Sequence, residues 1–128
     1  MAYSFENIIA WQKAHAFVML VYRVTKHFPK EEIFGLTSQF RRAAVSIEAN
    51  IAEGYKKLSK ADKLRFFNIS QGSLEECRDY IILSRDLGYI SQIEFEELHT
   101  GLETTSKFLN SYCKAIVNNN ALKKEEGM

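Results

Sequence analysis

Apolar residues recur at alternating steps of three and four through four long stretches of the chain, and a single proline, Pro29, interrupts them. That spacing keeps one stripe of side chains on one face of a helix, whereas a half-buried strand needs strict alternation. Six glycines in 128 residues leave little material for the tight turns of a sheet-rich domain. Hydrophobic residues make up 46%, enough for a core of ordinary density. The chain length suits one domain. The fold expected is therefore all-α.

The first stretch places Ile8, Trp11, His15, Val18, Tyr22, Thr25 and Phe28 on one seam, and Ile9, Phe17, Leu20, Val21 and Val24 widen it. Pro29 disfavours helix at the residue before it and lacks an amide donor, so the first helix is expected over about residues 6–28. The second is expected over about 35–57, with Leu36, Phe40, Ala43, Ile47, Ile51 and Tyr55 inward and Gly54 loosening the last turn. Ser59 with Asp62 three residues later is an N-cap signal for a third helix over about 60–87. Its seam reads Leu64, Phe67, Leu74, Cys77, Ile81 and Leu87. Gly72 in its middle marks close packing, and Gly88 supplies the stop. Ser91-Gln92-Ile93-Glu94 is a capping box that opens a fourth helix over about 92–118. Its stripe is Phe95, Leu98, Leu102, Thr105, Leu109, Tyr112 and Ile116, and Asn118-Asn119-Asn120 is expected to end it. Four such helices joined by short turns give an antiparallel up-down-up-down four-helix bundle over residues 1–120, followed by a frayed charged tail at 121–128.

Net charge is +1, too small to steer the whole molecule toward nucleic acid or a membrane. Its distribution is uneven. Residues 1–64 carry ten Lys or Arg against six Asp or Glu, and residues 65–128 carry seven against ten. Lys56, Lys57, Lys60, Lys63 and Arg65 cluster at the turn between the second and third helices, with Tyr55 and Phe66 beside them. Arg41 and Arg42 add a second basic pair. Clustered cations are what phosphate contacts require, and aromatic rings stack on unpaired bases. The ordinary reading is also open: lysines at a helix C-terminus complement its dipole.

Catalytic signals are missing. Glu96-x-x-His99 has the spacing of half a di-iron carboxylate site, but Gln12 and Val24 stand three residues before His15 and His27, so no second half exists. No Cys-x-x-Cys, His-Glu-x-x-His or phosphate-binding glycine loop is present. No metal and no cofactor is therefore expected, and no enzyme activity. His15, on the first seam, reads as a core or interface histidine. Asn50, Glu53 and Glu76 read as a polar cluster between the second and third helices, fixing register or holding a ligand. Cys77 and Cys113 read as reduced thiols of a cytoplasmic protein. The apolar run 16–22 is too short to cross a bilayer, so no membrane association is expected.

The run Phe28-Pro29, Glu32, Phe34-Gly35-Leu36, Gln39, Arg41-Arg42-Ala43-Ala44, Ser46-Ile47, Asn50-Ile51-Ala52-Glu53-Gly54 closely resembles the bacterial four helix bundle protein family. Gly72-Ser73-x-x-Glu76, Leu87-Gly88-Tyr89-Ile90, and Trp11 with Ala14 fit the same pattern, over about residues 5–116. Members are also called intervening-sequence proteins, because some are encoded inside insertions in large-subunit ribosomal RNA genes. The resemblance implies an antiparallel bundle assembling with itself into a ring, commonly a homopentamer, without an established biochemical role. A related branch acts as an accessory protein to a reverse transcriptase and binds nucleic acid through a basic surface. The leading expectation is a non-enzymatic scaffold that assembles with itself. The alternative is an accessory protein that binds RNA or DNA through the basic turn and serves a protein partner such as a reverse transcriptase.

Overall fold

A computed structural model describes the backbone of residues 4–125 and the side chains of residues 4–118. Four helices account for most of it: α1 (Ile9–Thr25), α2 (Leu36–Lys56), α3 (Lys60–Asp86) and α4 (Gln92–Glu125). Two short 3-10 turns, Phe5–Asn7 and Lys30–Glu32, precede α1 and α2. α1 packs on α2 and α4, and α3 packs on the same two, while the diagonal pairs do not approach.

The pairings are antiparallel. Lys13 lies over the Phe108 ring and Arg23 reaches Glu97, so numbers rise on α1 as they fall on α4. Arg42 meets Glu76 and Ser46 meets Ser73 across α2 and α3. Phe67 packs on Tyr112, Gln71 bonds Asn110, and Arg78 holds Glu103 across α3 and α4. The result is an up-down-up-down four-helix bundle.

Local signals set the helix ends. The Asp62 amide donates to Ser59 Oγ at 3.1 Å, which opens α3. At α4 the Glu94 amide donates to Ser91 Oγ, and the Ser91 amide donates back to Glu94 Oε1 at 2.8 Å. Gly88 stands at φ +76°, and the Tyr89 and Gly88 amides return to the Ser84 and Arg85 carbonyls. That double closure satisfies the last carbonyls of α3, and only glycine reaches the backbone angle cheaply.

Three boundaries differ from expectation, the first being the end of α1, which stops at Thr25 rather than at about Phe28. Ile8 is extended, so α1 begins at Ile9 and the preceding residues form a separate turn capped by Ser4. α4 continues through Asn118–Asn120 to Glu125, so the asparagine run does not break the helix. Asparagine is only a modestly poor helix former, and three in succession cost less than cooperative propagation from a packed helix supplies. Residues 126–128 of the expected tail lie outside the described residues.

Phe17, Phe40, Phe67, Ile47, Ile51, Ile81, Leu98, Leu102 and Leu109 are fully buried. Each such side chain contributes about 1.5–3 kcal/mol of transfer free energy. The α4 stripe follows the spacing read from the sequence. The α1 seam follows it in part: Val18, Thr25 and Phe28 are buried as expected, whereas Trp11 is half-buried and His15 and Tyr22 are exposed. Its buried line is Ala10, Ala14, Phe17, Val21, Val24 and Phe28, with Val18 and Thr25 beside it. That is a rotation of about 100° from a seam on Trp11, His15 and Tyr22. Ala10 and Ala14 let neighbouring helices approach, and the larger, more polar side chains go to the rim. His15 is accordingly not a core residue: its side chain is 48% exposed, stacked on Trp11, with Nδ1 3.0 Å from Glu48.

The glycines on α2 and α3 also exchange roles. Among the described residues a Cβ on Gly72 would meet nothing within 4 Å, so that residue marks no close packing there. A Cβ on Gly54 would stand 2.5 Å from the Phe67 ring. Gly54 is where α2 and α3 come close.

Candidate functional site

The basic turn is the densest group of cations anticipated from the sequence, and the fold sorts its members. α2 ends at Lys56 and α3 begins at Lys60, so the turn is only three residues long. Lys63 faces inward over it. Its amine donates to the Tyr55 carbonyl at 2.7 Å and approaches the Gly54 carbonyl at 3.4 Å. It therefore satisfies the free C-terminal carbonyls of α2, and partial burial holds its pKa below the usual lysine value. Lys63 is a structural cap, not an open phosphate ligand.

Lys57 and Arg65 bracket the half-buried Phe66 ring, the ammonium 5.0 Å and the guanidinium 5.2 Å from its centroid. Each also has a loose acidic neighbour, Glu53 at 3.8 Å and Asp62 at 3.9 Å. Lys56 and Lys60 make no ion pair among the described residues. Between them Leu58 is completely exposed. The turn thus presents cations around one aromatic ring and one bare aliphatic side chain, which is chemistry suited to phosphate and a base face.

Arg41 and Arg42 do not join that surface. They sit about 22 Å up α2 from Lys56 at 1.5 Å per residue. Arg41 donates to Thr25 Oγ1 at 2.8 Å and to the Tyr22 carbonyl, and stacks on the Tyr22 ring, tying α2 to the end of α1. Arg42 bonds Gln39 and Glu76. Both are occupied in holding helices together.

The polar trio is dispersed in the same way. Asn50 donates to the carbonyl and hydroxyl of Ser46, one turn back. Glu53 leans toward Lys57. Glu76 sits opposite Arg42, about 12 Å along the bundle from Asn50. Antiparallel register, invisible in linear spacing, separates them. Between Asn50 and Glu76, α2 and α3 are linked by Ser73 Oγ to Ser46 Oγ at 2.7 Å, with buried Ser70 donating to the Ile47 carbonyl at 2.8 Å. Serines on a helix carry no sequence signal that separates this role from plain exposure.

No cluster of metal-ligating side chains exists among the described residues. Glu96 accepts a hydrogen bond from Gln92, and His99 stacks on Phe95. Cys77 is buried and its thiol is pushed up to about 12, mainly by desolvation, so it is not a ready nucleophile. Cys113 lies beside the Phe67 level of α3, about 15 Å along the axis from Cys77 and far beyond disulfide reach. Both thiols are free. Among the described residues no helix is long and apolar enough to cross a membrane.

What sequence spacing missed is the exposed apolar set. Phe34 is 91% exposed, Ile93 71% and Met19 61%. Phe34 is held out by its connection: Glu32 accepts from the Leu36 amide at 3.1 Å and from the Tyr89 hydroxyl at 2.8 Å. These bonds hold the Glu32 carboxyl below its usual pKa and the Tyr89 phenol above its own.

A protein of unknown function from the S23 ribosomal protein family of Bacteroides thetaiotaomicron has a similar solved structure, with a TM-score of 0.76. It is 24% identical, and the match covers 82% of this chain and 98% of that one, a likeness that shows the fold. No curated protein matches the chain. Residues 6–111, the bundle from the first turn to the middle of α4, match the model of the 23S rRNA-intervening sequence proteins, and the chain belongs to that family.

Proposed function

We propose that this protein is a non-enzymatic cytoplasmic scaffold whose copies assemble into a closed ring, with five subunits as the family resemblance implies. The observation that carries this reading is the exposed apolar set on an otherwise closed bundle. Leu58, Phe34, Ile93 and Met19 all face water, outside the buried core. Side chains of that size left bare by a single chain favour association. Ring formation needs two different surfaces meeting head to tail, and closed symmetry leaves no open end. Light scattering across micromolar concentrations tests it. The expected mass is five times the 14.8 kDa of one chain. A single-chain mass throughout that range overturns the reading.

The basic turn supports a second reading, an accessory role on RNA or DNA alongside a protein partner such as a reverse transcriptase. Phe66 bracketed by Lys57 and Arg65, with Lys56 and Lys60 alongside, is the specific observation in its favour. A ring would bring several such turns together, so weak single contacts would add by avidity. Changing Lys56, Lys57 and Lys60 to glutamate is expected to abolish binding of short single-stranded oligonucleotides. Unchanged affinity and unchanged salt dependence would remove the turn from the account.

A further inference from the structure

The connection between α1 and α2 carries an aromatic residue that no contact among the described residues accounts for. Phe34 is 91% exposed, and its neighbour Ile33 is 57% exposed. A loose connection would fold such a pair back onto the bundle, because burying apolar surface is favourable. This connection is not loose. It opens with the 3-10 turn Lys30–Glu32. The Glu32 carboxylate then bridges the start of α2 and Tyr89 at the end of α3, through the Leu36 amide and the Tyr89 hydroxyl. Tyr89 is packed in turn on Phe28, with ring centroids 5.3 Å apart. Gly35 fits beside this bridge because it lacks a Cβ, which would stand 2.7 Å from Glu32 Oε1. Phe34 is therefore presented outward by a braced backbone, and little ordering cost remains for docking it.

A matching surface lies on the flank shared by α1 and α4. Ala16, Met19, Leu20 and Tyr22 of α1 line one shallow depression and Ile93 and Gly101 of α4 a second, and the two adjoin through Leu20 and Arg23, with Glu97 and Thr100 also lining the second, to make one groove with an apolar strip along it. Met19 and Ile93 stand largely exposed along it. Lys26 and Glu96 flank the groove, and Lys30 and Glu31 flank Phe34 on the connection. None of these four makes an ion pair among the described residues. Each surface thus offers one unpaired acid and one unpaired base beside apolar side chains, and in the groove the Arg23–Glu97 ion pair adjoins the apolar strip. An aromatic anchor entering an apolar groove with complementary charges at the rim is the usual anatomy of a specific contact.

We infer that Phe34 and Ile33 of one copy seat in the α1–α4 groove of a second copy, with Glu31 and Lys30 facing Lys26 and Glu96. The inference rests on the self-assembling reading above and names its contact. The two surfaces differ, so the contact repeats from copy to copy and closes wherever the rotation per subunit allows.

Two variants test it, Phe34→Ser on the connection and Met19→Lys in the groove. Both side chains are exposed, so far-ultraviolet circular dichroism and melting temperature should match the unmodified protein. By light scattering and sedimentation, each variant alone is expected to fall to single-chain mass, with self-association weakened roughly 30-fold or more. Mixed in equal amounts, they are expected to regain a two-copy complex, because one brings an intact groove and the other an intact Phe34. An assembled wild type whose mass neither variant changes would overturn this contact and leave self-assembly standing. Two single-chain variants that do not combine on mixing would overturn the pairing of these particular surfaces. A wild type of single-chain mass would overturn the contact and the self-assembling reading together.

Discussion

Gly54 and Gly72 lie on neighbouring helices in opposite surroundings, and the same substitution should act on them with opposite sign. Alanine gains about 1 kcal/mol over glycine inside a helix. At Gly72 nothing opposes that gain, since a Cβ there meets open space. Gly72→Ala is expected to raise unfolding free energy by about 1 kcal/mol in a urea titration. At Gly54 the added methyl would run into Phe67, which is fully buried and packed edge-on against Tyr112. Overpacking costs ~1–3 kcal/mol and outweighs the helical gain, so Gly54→Ala should destabilise. Glu32 gives a residue-scale prediction with a pH signature. Its folded pKa is lowered, first by the Leu36 amide and then by the Tyr89 hydroxyl. A depressed carboxyl stabilises the fold above its unfolded value, near 4.5, and loses that contribution as pH falls through the lower folded value. The melting temperature of Glu32→Gln should therefore lie furthest below wild type above pH 4.5 and converge on it under acid conditions.

At the scale of single helices, the ends follow local chemistry and the faces do not. Ser59, Ser91 and Gly88 set boundaries through hydrogen bonds a few residues long, and all three were legible from side-chain type and position alone. Ser59→Ala should cost about 1 kcal/mol, because the Asp62 amide at the start of α3 loses its acceptor. Loss of stability much below that would mean another group takes over the amide. The buried face of α1 was less legible. Its spacing offers two apolar seams a residue apart, one with Trp11 and Tyr22, the other with Ala10, Ala14 and Phe17. Bulk favours the first and close helix approach favours the second. Gly101 of α4 faces Phe17, and a Cβ there would stand 3.3 Å from the ring, so the neighbour decides the choice. α4 extends through three asparagines for a related reason: a helix already anchored by Leu98, Leu102 and Leu109 propagates past weak formers.

Across the whole molecule, two kinds of surface coexist and salt should separate them. Cations at the α2–α3 turn would bind phosphate through counterion release, so oligonucleotide affinity should fall steeply between roughly 50 and 500 mM salt. Association anchored by Phe34 rests on apolar burial, which salt does not screen, so the assembled mass should hold over that range. Fluorescence anisotropy and light scattering on one sample series check both. A ring that dissociates with salt would place its main contact on charges instead. The sequence by itself determined the all-helical class, the four helices, the capping of α3 and α4 and the cluster of cations at one turn, because each depends on residues close together in the chain. Only the tertiary structure decided which cations remain open, that Glu76 stands apart from Asn50 and Glu53, which glycine is crowded, and that Phe34 is held in water. Those outcomes depend on antiparallel register and on helix rotation, and both are settled by residues on a neighbouring element, as Phe67 does for Gly54, Glu76 for Arg42 and Tyr89 for Glu32.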